Sequence, residues 1–79
     1  MIVHIKLFAS ARERASTGVI TLVVSPDTTL ERLRHLLDEK VPTLREMTGR
    51  WAVNLKFETD DYRIQAEDDL AWIPPVSGG

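Results

Sequence analysis

The chain has 79 residues, enough for one small domain that would bury about 60% of the surface of its unfolded form. Hydrophobic residues make up 43% and charged residues 28%, with a net charge of −2, so the chain has neither the basic excess of a nucleic-acid-binding protein nor the low hydrophobicity of a disordered one. The absence of cysteine excludes disulfides, thiolate metal sites and a cysteine nucleophile, and the expected partners are proteins or small molecules.

The N-terminal part of the chain predicts a β-hairpin. Val3, Ile5 and Leu7 alternate with the residues between them, which is the period-two pattern of a strand with one buried face. The segment 19–24 is rich in β-branched residues and lies close enough along the chain to pair antiparallel with the first strand. Phe8 falls on the outward face, where an aromatic side chain indicates either a partner contact or cover by a neighbouring loop.

The two strands of the hairpin are joined by one short helical turn, predicted at 9–14. One long helix follows the hairpin. Thr28 and Glu31 have the spacing of a capping box, and Thr29 is the alternative cap. Pro42 ends the helix because proline cannot continue its hydrogen bonding. The apolar stripe of this helix, which we expect to pack on the sheet, consists of Leu30, Leu33, Leu36 and Leu37.

The second half of the chain predicts a further helical turn and three strands. Residues 44–48 indicate the turn, and residues 51–54 and 55–58 indicate two strands joined by a tight turn at Asn54. The last strand is predicted at 70–73. No internal repeat, linker or low-complexity segment interrupts this order.

The order β-β-α-β-β predicts an α+β fold with a mixed sheet of four to five strands packed on one main helix. The first and last strands are expected side by side and parallel in its centre, because the helix supplies the crossover that parallel strands need. This is a β-grasp arrangement, as in ubiquitin. In the last strand, if Trp72 is in the core, Ile73 points outward.

The sequence lacks the residues of a self-contained active site, namely a nucleophile with its base, a metal cluster or a phosphate-binding loop. His4 and His35 belong to different elements and have no third ligand at metal-like spacing, so no metal site is predicted. The acidic turns 60–61 and 67–69 are expected to be either a solvated face or a docking site for a basic partner. No apolar segment reaches the roughly 20 residues of a membrane span, and we expect a cytoplasmic protein that binds neither membrane nor nucleic acid.

The C-terminal residues are the remaining unusual feature. Two prolines restrict φ and remove backbone donors, so regular structure is expected to stop near Pro74. We therefore divide the chain into a domain at 1–75 and a flexible tail at 76–79. The tail narrows towards a glycine carboxylate and is suited to a channel closed to larger residues, with a frayed terminus as the alternative. Pro75 is the residue at the base of the tail, Val76, Ser77 and Gly78 form its length, and Gly79 is its last residue.

Three stretches of the chain closely resemble the family of molybdopterin synthase small subunits, which are β-grasp sulfur carriers related to ubiquitin. They are 7–13 (LFASARE) followed by Gly18, 52–54 (AVN) and 73–79 (IPPVSGG). The similarity spans essentially the whole chain. Before the last strand the family commonly has Asp-Gly-Asp-Glu, whereas this chain has Glu67 in place of the turn glycine, which leaves the conformation of that turn open.

The resemblance implies that Gly79 is the reactive residue. An adenylyltransferase similar to the ubiquitin-activating enzymes would use ATP and Mg²⁺ to convert its carboxylate to an acyl-adenylate, and a sulfur donor enzyme would then form a thiocarboxylate. The large synthase subunit, expected in a 2:2 heterotetramer, would transfer the sulfur to cyclic pyranopterin monophosphate in molybdenum cofactor biosynthesis. The resemblance thus implies a subunit that binds no cofactor itself and leaves the catalytic side chains to its partner.

The pattern of outward residues indicates where the large subunit would bind. Phe8 and Ile73 are outward apolar residues on strands predicted to be neighbours, and Phe57 is a third candidate whose face the sequence leaves open. We expect these residues to form an apolar patch beside the tail, with Arg12 at its rim.

Two other functions remain as alternatives. A sulfur carrier for thiazole synthesis or tRNA thiolation would share the fold and the Gly-Gly end, although Pro-Pro-Val and the Arg12-Glu13 segment favour the molybdopterin branch. A binding module of a different class would have a ubiquitin-like tail that is never activated, or would present 73–76 as an extended proline segment.

Overall fold

A computed structural model describes residues 1–75 of the chain. Its strands are β1 (Ile2–Leu7), β2 (Val19–Val23), β3 (Arg50–Val53), β4 (Lys56–Glu58) and β5 (Leu70–Ile73), and its helices are α1 (Ala9–Ala15) and α2 (Leu30–Lys40). A 3₁₀ turn at Pro42–Leu44 follows α2. Neither α-helix within this part of the chain is long and apolar enough to cross a membrane.

The strands form one mixed sheet in the order β2-β1-β5-β3-β4. β1 and β5 run parallel, with Leu7 beside Trp72, and the other neighbouring pairs in this sheet are antiparallel. The parallel pair is possible because the long connection between its strands contains α2, which provides the crossover. The predicted β-grasp fold, with its first and last strands adjacent, is therefore confirmed.

The core lies between α2 and the inner face of the sheet. Val3, Ile5 and Leu7 are buried and the residues between them are exposed, which confirms the alternation predicted for β1. The stripe predicted on α2 also faces the core, with Leu36 partly buried. Its fully buried members are Leu30, Leu33 and Leu37.

The loop after α2 is organised by the side chain of Arg34. Its guanidinium lies over the ring of Trp72, 4.3 Å from the centroid, and donates hydrogen bonds to the carbonyls of Leu44 at 2.8 Å and Met47 at 2.7 Å. The helical turn predicted at 44–48 is observed in part. The 3₁₀ turn ends at Leu44, and the N–H of Met47 then donates to the carbonyl of Leu44 at 3.0 Å, which closes one further turn. The guanidinium of Arg34 satisfies the carbonyl of Met47, where this turn ends.

The structure decides between the two caps considered for α2 and lengthens α1. Thr29 caps α2, because its Oγ1 accepts a hydrogen bond from the Arg32 N–H at 3.2 Å. The capping box predicted for Thr28 and Glu31 is not formed, since the Thr28 hydroxyl donates to the carbonyl of Ser25 at 2.6 Å. α1 has seven residues and is longer than the single turn predicted at 9–14. The helix is terminated by Ser16, whose φ of 59° is left-handed and which lies beyond the predicted segment.

Candidate partner-binding surface

The outward face of the sheet carries an apolar groove, which results from small residues in adjacent strands. Ala71 on β5 pairs with Ala52 on β3, and this pair lies between Lys6 on β1 and Phe57 on β4 in one row across the sheet. Because two alanines separate larger neighbours, a groove of about 260 Å³ remains open. We call it the alanine groove, and it is lined by Lys6, Phe8, Ala52, Leu55, Phe57, Asp69, Ala71 and Ile73.

Three of the four predicted partner-binding residues meet in the alanine groove. Phe8 is 45% exposed, Phe57 is 48% exposed, and Ile73 is half-buried and points outward as expected. The structure thereby decides the face of Phe57, which the sequence left open. Arg12 lies elsewhere: its guanidinium packs over Gly18, where an added Cβ would lie 3.4 Å from the guanidinium carbon, and it does not line the groove.

A second apolar groove, of about 300 Å³, leads from the same side chains to the base of the predicted tail. This proline groove shares Phe57 and Ile73 with the alanine groove, and its other lining residues are Thr48, Gly49, Arg50, Pro74 and Pro75. The guanidinium of Arg50 lies 3.9 Å from the centroid of the Phe57 ring, a cation–π contact that places a positive charge beside this groove. Pro74 is buried and Pro75 is exposed, so the apolar surface continues to the residue predicted as the base of the tail.

The other predicted tail residues lie outside the described part of the chain. They are Val76, Ser77, Gly78 and Gly79. The assignment of the reactive group to Gly79, and the division of the chain into 1–75 and 76–79, therefore stay predictions.

Leu55 is a groove residue that the sequence interpretation missed. The sequence pattern predicts Leu55 as the first residue of the fourth strand, whereas β4 begins at Lys56 and Leu55 lies in the turn before it. Its side chain is 95% exposed and lines the alanine groove. The signal available in the sequence is a large apolar residue directly after Asn54, at a position where tight hairpin turns favour glycine.

Asp68 organises the acidic segment before β5. Its carboxylate accepts hydrogen bonds from the Tyr62 hydroxyl at 2.9 Å, the Gln65 N–H at 2.7 Å and the Asn54 amide at 2.9 Å. Partial burial alone would raise the pKa of Asp68, but the hydrogen bonds from Gln65, Asn54 and Tyr62 together outweigh it and hold the pKa below its ordinary value. The hydrogen bond between Tyr62 and Asp68 raises the pKa of Tyr62, and desolvation of the Tyr62 side chain raises it further. Asp68 is thus part of the fold and not a purely solvated charge.

The turn that contains Glu67 does not need a glycine. The N–H of Asp68 donates to the carbonyl of Gln65 at 3.1 Å, which closes a turn around Ala66 and Glu67. Neither of these central residues has a positive φ. The departure from the family pattern is therefore accommodated by a turn that any side chain can adopt.

The histidines do not form part of a metal site in the described region. His4 Nδ1 lies 2.9 Å from Thr21 Oγ1 on the neighbouring strand, whereas His35 is exposed on α2. Within residues 1–75, no group of three His, Cys, Asp or Glu side chains is arranged to hold a metal ion. The main feature of the outward face is an apolar surface suited to binding a protein.

The chain is similar to known proteins in sequence and in fold. Residues 5–79 match the family model described as the ThiS family. The molybdopterin synthase sulfur carrier subunit of Arabidopsis thaliana is 38% identical over 81 residues, which cover 98% of this chain and 84% of the relative. The crystal structure of SAMP1 from Haloferax volcanii is 26% identical, with a TM-score of 0.89 and 100% of both chains covered. A complex of subunits 1 and 2 of molybdopterin-converting factor from Helicobacter pylori contains a chain that is 23% identical, with a TM-score of 0.72 and 100% of both chains covered.

Proposed function

This chain belongs to the ThiS family, and from that premise we propose that it is the sulfur carrier subunit of a molybdopterin synthase. The observation that carries the proposal is the course of the outward apolar surface, which leads from Phe8 through Phe57 to Pro75, where residues 76–79 follow. A surface in this position allows a partner to hold the domain and receive the tail in its own active site. The similarity to a relative named as a sulfur carrier subunit supports the same assignment.

Activation of Gly79 is the first proposed step. An oxygen of its carboxylate attacks the α-phosphorus of ATP, which releases pyrophosphate and forms an acyl-adenylate. A ubiquitin-activating-like adenylyltransferase binds the ATP and Mg²⁺, so this chain holds no cofactor. The adenylate is needed because a carboxylate would have to expel oxide, whereas the adenylate expels AMP. A sulfide-level nucleophile from a sulfur donor enzyme then displaces AMP and leaves a thiocarboxylate.

Sulfur transfer is the second proposed step, and it takes place in the large synthase subunit. The thiocarboxylate sulfur is ionised and nucleophilic at neutral pH, which provides thiolate-like reactivity in a chain without cysteine. The large subunit supplies the catalytic side chains and binds this chain in a 2:2 heterotetramer. There the sulfur replaces an oxygen of cyclic pyranopterin monophosphate, and Gly79 is released as a carboxylate. Two thiolated chains supply the two sulfurs of the molybdopterin dithiolene. Val76, Ser77 and Gly78 form the narrow stem that lets Gly79 reach that site.

Deletion of Gly79 tests the proposal. After incubation with ATP, the activating enzyme and a sulfur donor, the unaltered chain gains the mass of an oxygen-to-sulfur exchange in intact-protein mass spectrometry, and the truncated chain does not. His35→Ala is the control, because this exposed side chain on α2 lines neither groove and its loss leaves thiolation unchanged. A truncated chain that still acquires sulfur, or still supports molybdopterin formation, would sink the assignment.

A second assay separates this function from its rivals. When the large subunit and cyclic pyranopterin monophosphate are added to the thiolated chain, molybdopterin forms if the proposal is right. A chain that is thiolated but yields no molybdopterin belongs to the thiazole or tRNA branch. A chain that is never thiolated is a binding module.

A further inference from the structure

Leu55 combines two features that are unfavourable for the isolated domain. Its φ is 68°, in the left-handed region that residues with a bulky side chain rarely adopt. Asn54 before it has a φ of 53°, and the two form the loop of the β3–β4 hairpin, in which glycine is the usual second residue. The leucine side chain is 95% exposed, so packing within the described domain does not compensate for its conformation.

Hydrogen bonds from outside the loop fix Asn54, the loop residue directly before Leu55. The backbone N–H of Asn54 donates to the carbonyl of Asp69, and its side-chain oxygen accepts from the Asp69 N–H, both at 2.9 Å. The side-chain amide of Asn54 donates to the carboxylate of Asp68, also at 2.9 Å. These contacts anchor the loop to the segment before β5, so the strained position of Leu55 is imposed by its surroundings.

The alanine groove beside Leu55 is suited to an apolar guest. Leu55 lines it together with Phe8 and Phe57. Its charged lining residues, Lys6 and Asp69, form an ion pair 3.1 Å long and so offset each other. A side chain that enters the groove therefore meets apolar surface without an unpaired charge.

We propose that Leu55 is a docking residue, and that an apolar side chain of the large synthase subunit packs in the alanine groove against Leu55, Phe8 and Phe57. This inference rests on the proposed function, which supplies the occupant. The position of the alanine groove supports the large subunit as the source of this side chain. The groove joins the proline groove and so leads to the tail that the large subunit receives. A glycine in the loop would suit the free domain better, and the contact in the complex explains the leucine.

Leu55→Gly separates the two effects in the full chain. Relief of the left-handed strain raises the melting temperature by roughly 2–5 °C, and loss of the leucine contact raises the Kd for the large subunit about tenfold or more. Leu55→Met keeps an apolar side chain and retains the affinity within a factor of about three. Val23→Thr is the matched control, because Val23 is 78% exposed on β2 and lines neither groove, so its substitution leaves the affinity unchanged.

Differential scanning calorimetry of the free chain and titration calorimetry with the large subunit give the two readouts. An unchanged Kd for Leu55→Gly, with normal binding by the unaltered chain, overturns the docking role and leaves the proposed function intact. A lower melting temperature for Leu55→Gly overturns the claim that the leucine is unfavourable in the free domain. An unaltered chain that does not bind the large subunit at all overturns the proposed function and this inference together.

Discussion

Gly49 shows, at the scale of one residue, how closely the loop before β3 approaches the core. A Cβ at this position would lie 2.5 Å from Cζ2 and 2.7 Å from Cε2 of Trp72. The indole has little room to move, because Trp72 is 1% exposed and the guanidinium of Arg34 covers its ring. A residue without a side chain is therefore required where the loop crosses Trp72.

We expect Gly49→Ala to lower the free energy of unfolding by roughly 1–3 kcal/mol, the range observed when a core is overpacked. Urea denaturation followed by tryptophan fluorescence measures this change. Gly18→Ala is the matched control, because a Cβ there would meet the end of the flexible Arg12 side chain at 3.4 Å. Equal unfolding midpoints for the two variants would show that Trp72 accommodates the methyl group.

At the scale of elements, Asp68 links the β3–β4 loop to the segment that leads into β5. Its hydrogen-bond donors, Asn54, Tyr62 and Gln65, come from the loop and from the long connection after β4. β4 has three residues and lies at the edge of the sheet, so its position depends on such contacts more than on its own pairing. The acidic segment before β5 therefore has a structural role.

Asp68→Asn should lower the free energy of unfolding by roughly 1 kcal/mol at neutral pH, because an amide cannot accept all of these hydrogen bonds. The pKa of Asp68 is lower in the folded state than in the unfolded state, so its contribution is fully present above the ordinary value of 3.8 and is lost as the pH falls through the folded-state pKa. Urea denaturation at neutral pH and at a pH below the folded-state pKa of Asp68 measures the change.

The difference in the free energy of unfolding between the unaltered chain and Asp68→Asn should accordingly become smaller on acidification. Asp60→Asn serves as the control, since Asp60 is an exposed residue of the other acidic turn. A difference that is the same at both pH values would contradict the role assigned to the Asp68 carboxylate.

At the scale of the whole molecule, the two faces of the sheet carry different features. Its inner face packs on α2 and carries the core, whereas its outward face carries the alanine and proline grooves. Substitutions of groove residues on the outward face are therefore expected to alter binding and leave the fold in place.

We expect Phe8→Ala and Ile73→Ala each to raise the Kd for the large subunit about tenfold or more, or roughly 1.4 kcal/mol, because both remove apolar groove walls. Titration calorimetry measures the Kd, and circular dichroism verifies the fold. Ile2→Ala is the control, since Ile2 is 60% exposed at the other end of β1 and lines neither groove. An affinity unchanged by both substitutions would refute the binding surface.

The features that could be predicted from the sequence depend on neighbours along the chain. The alternation in β1 and the leucine stripe of α2 follow from the side-chain periods of strands and helices, and both are observed. The parallel pairing of β1 with β5 follows from the connection through α2. The outward position of Ile73 follows from the burial of Trp72 beside it.

The features that only the tertiary structure decided depend on residues far apart in the chain. The face of Phe57 is set by the register of a three-residue strand, which is too short to show a period. The alanine groove exists because Ala52 and Ala71 become neighbours through the pairing of β3 with β5. Leu55 borders the groove because contacts from the segment before β5 hold its loop. Periodicity determines which side chains share a face, but the shape of that face arises from the pairing of distant strands.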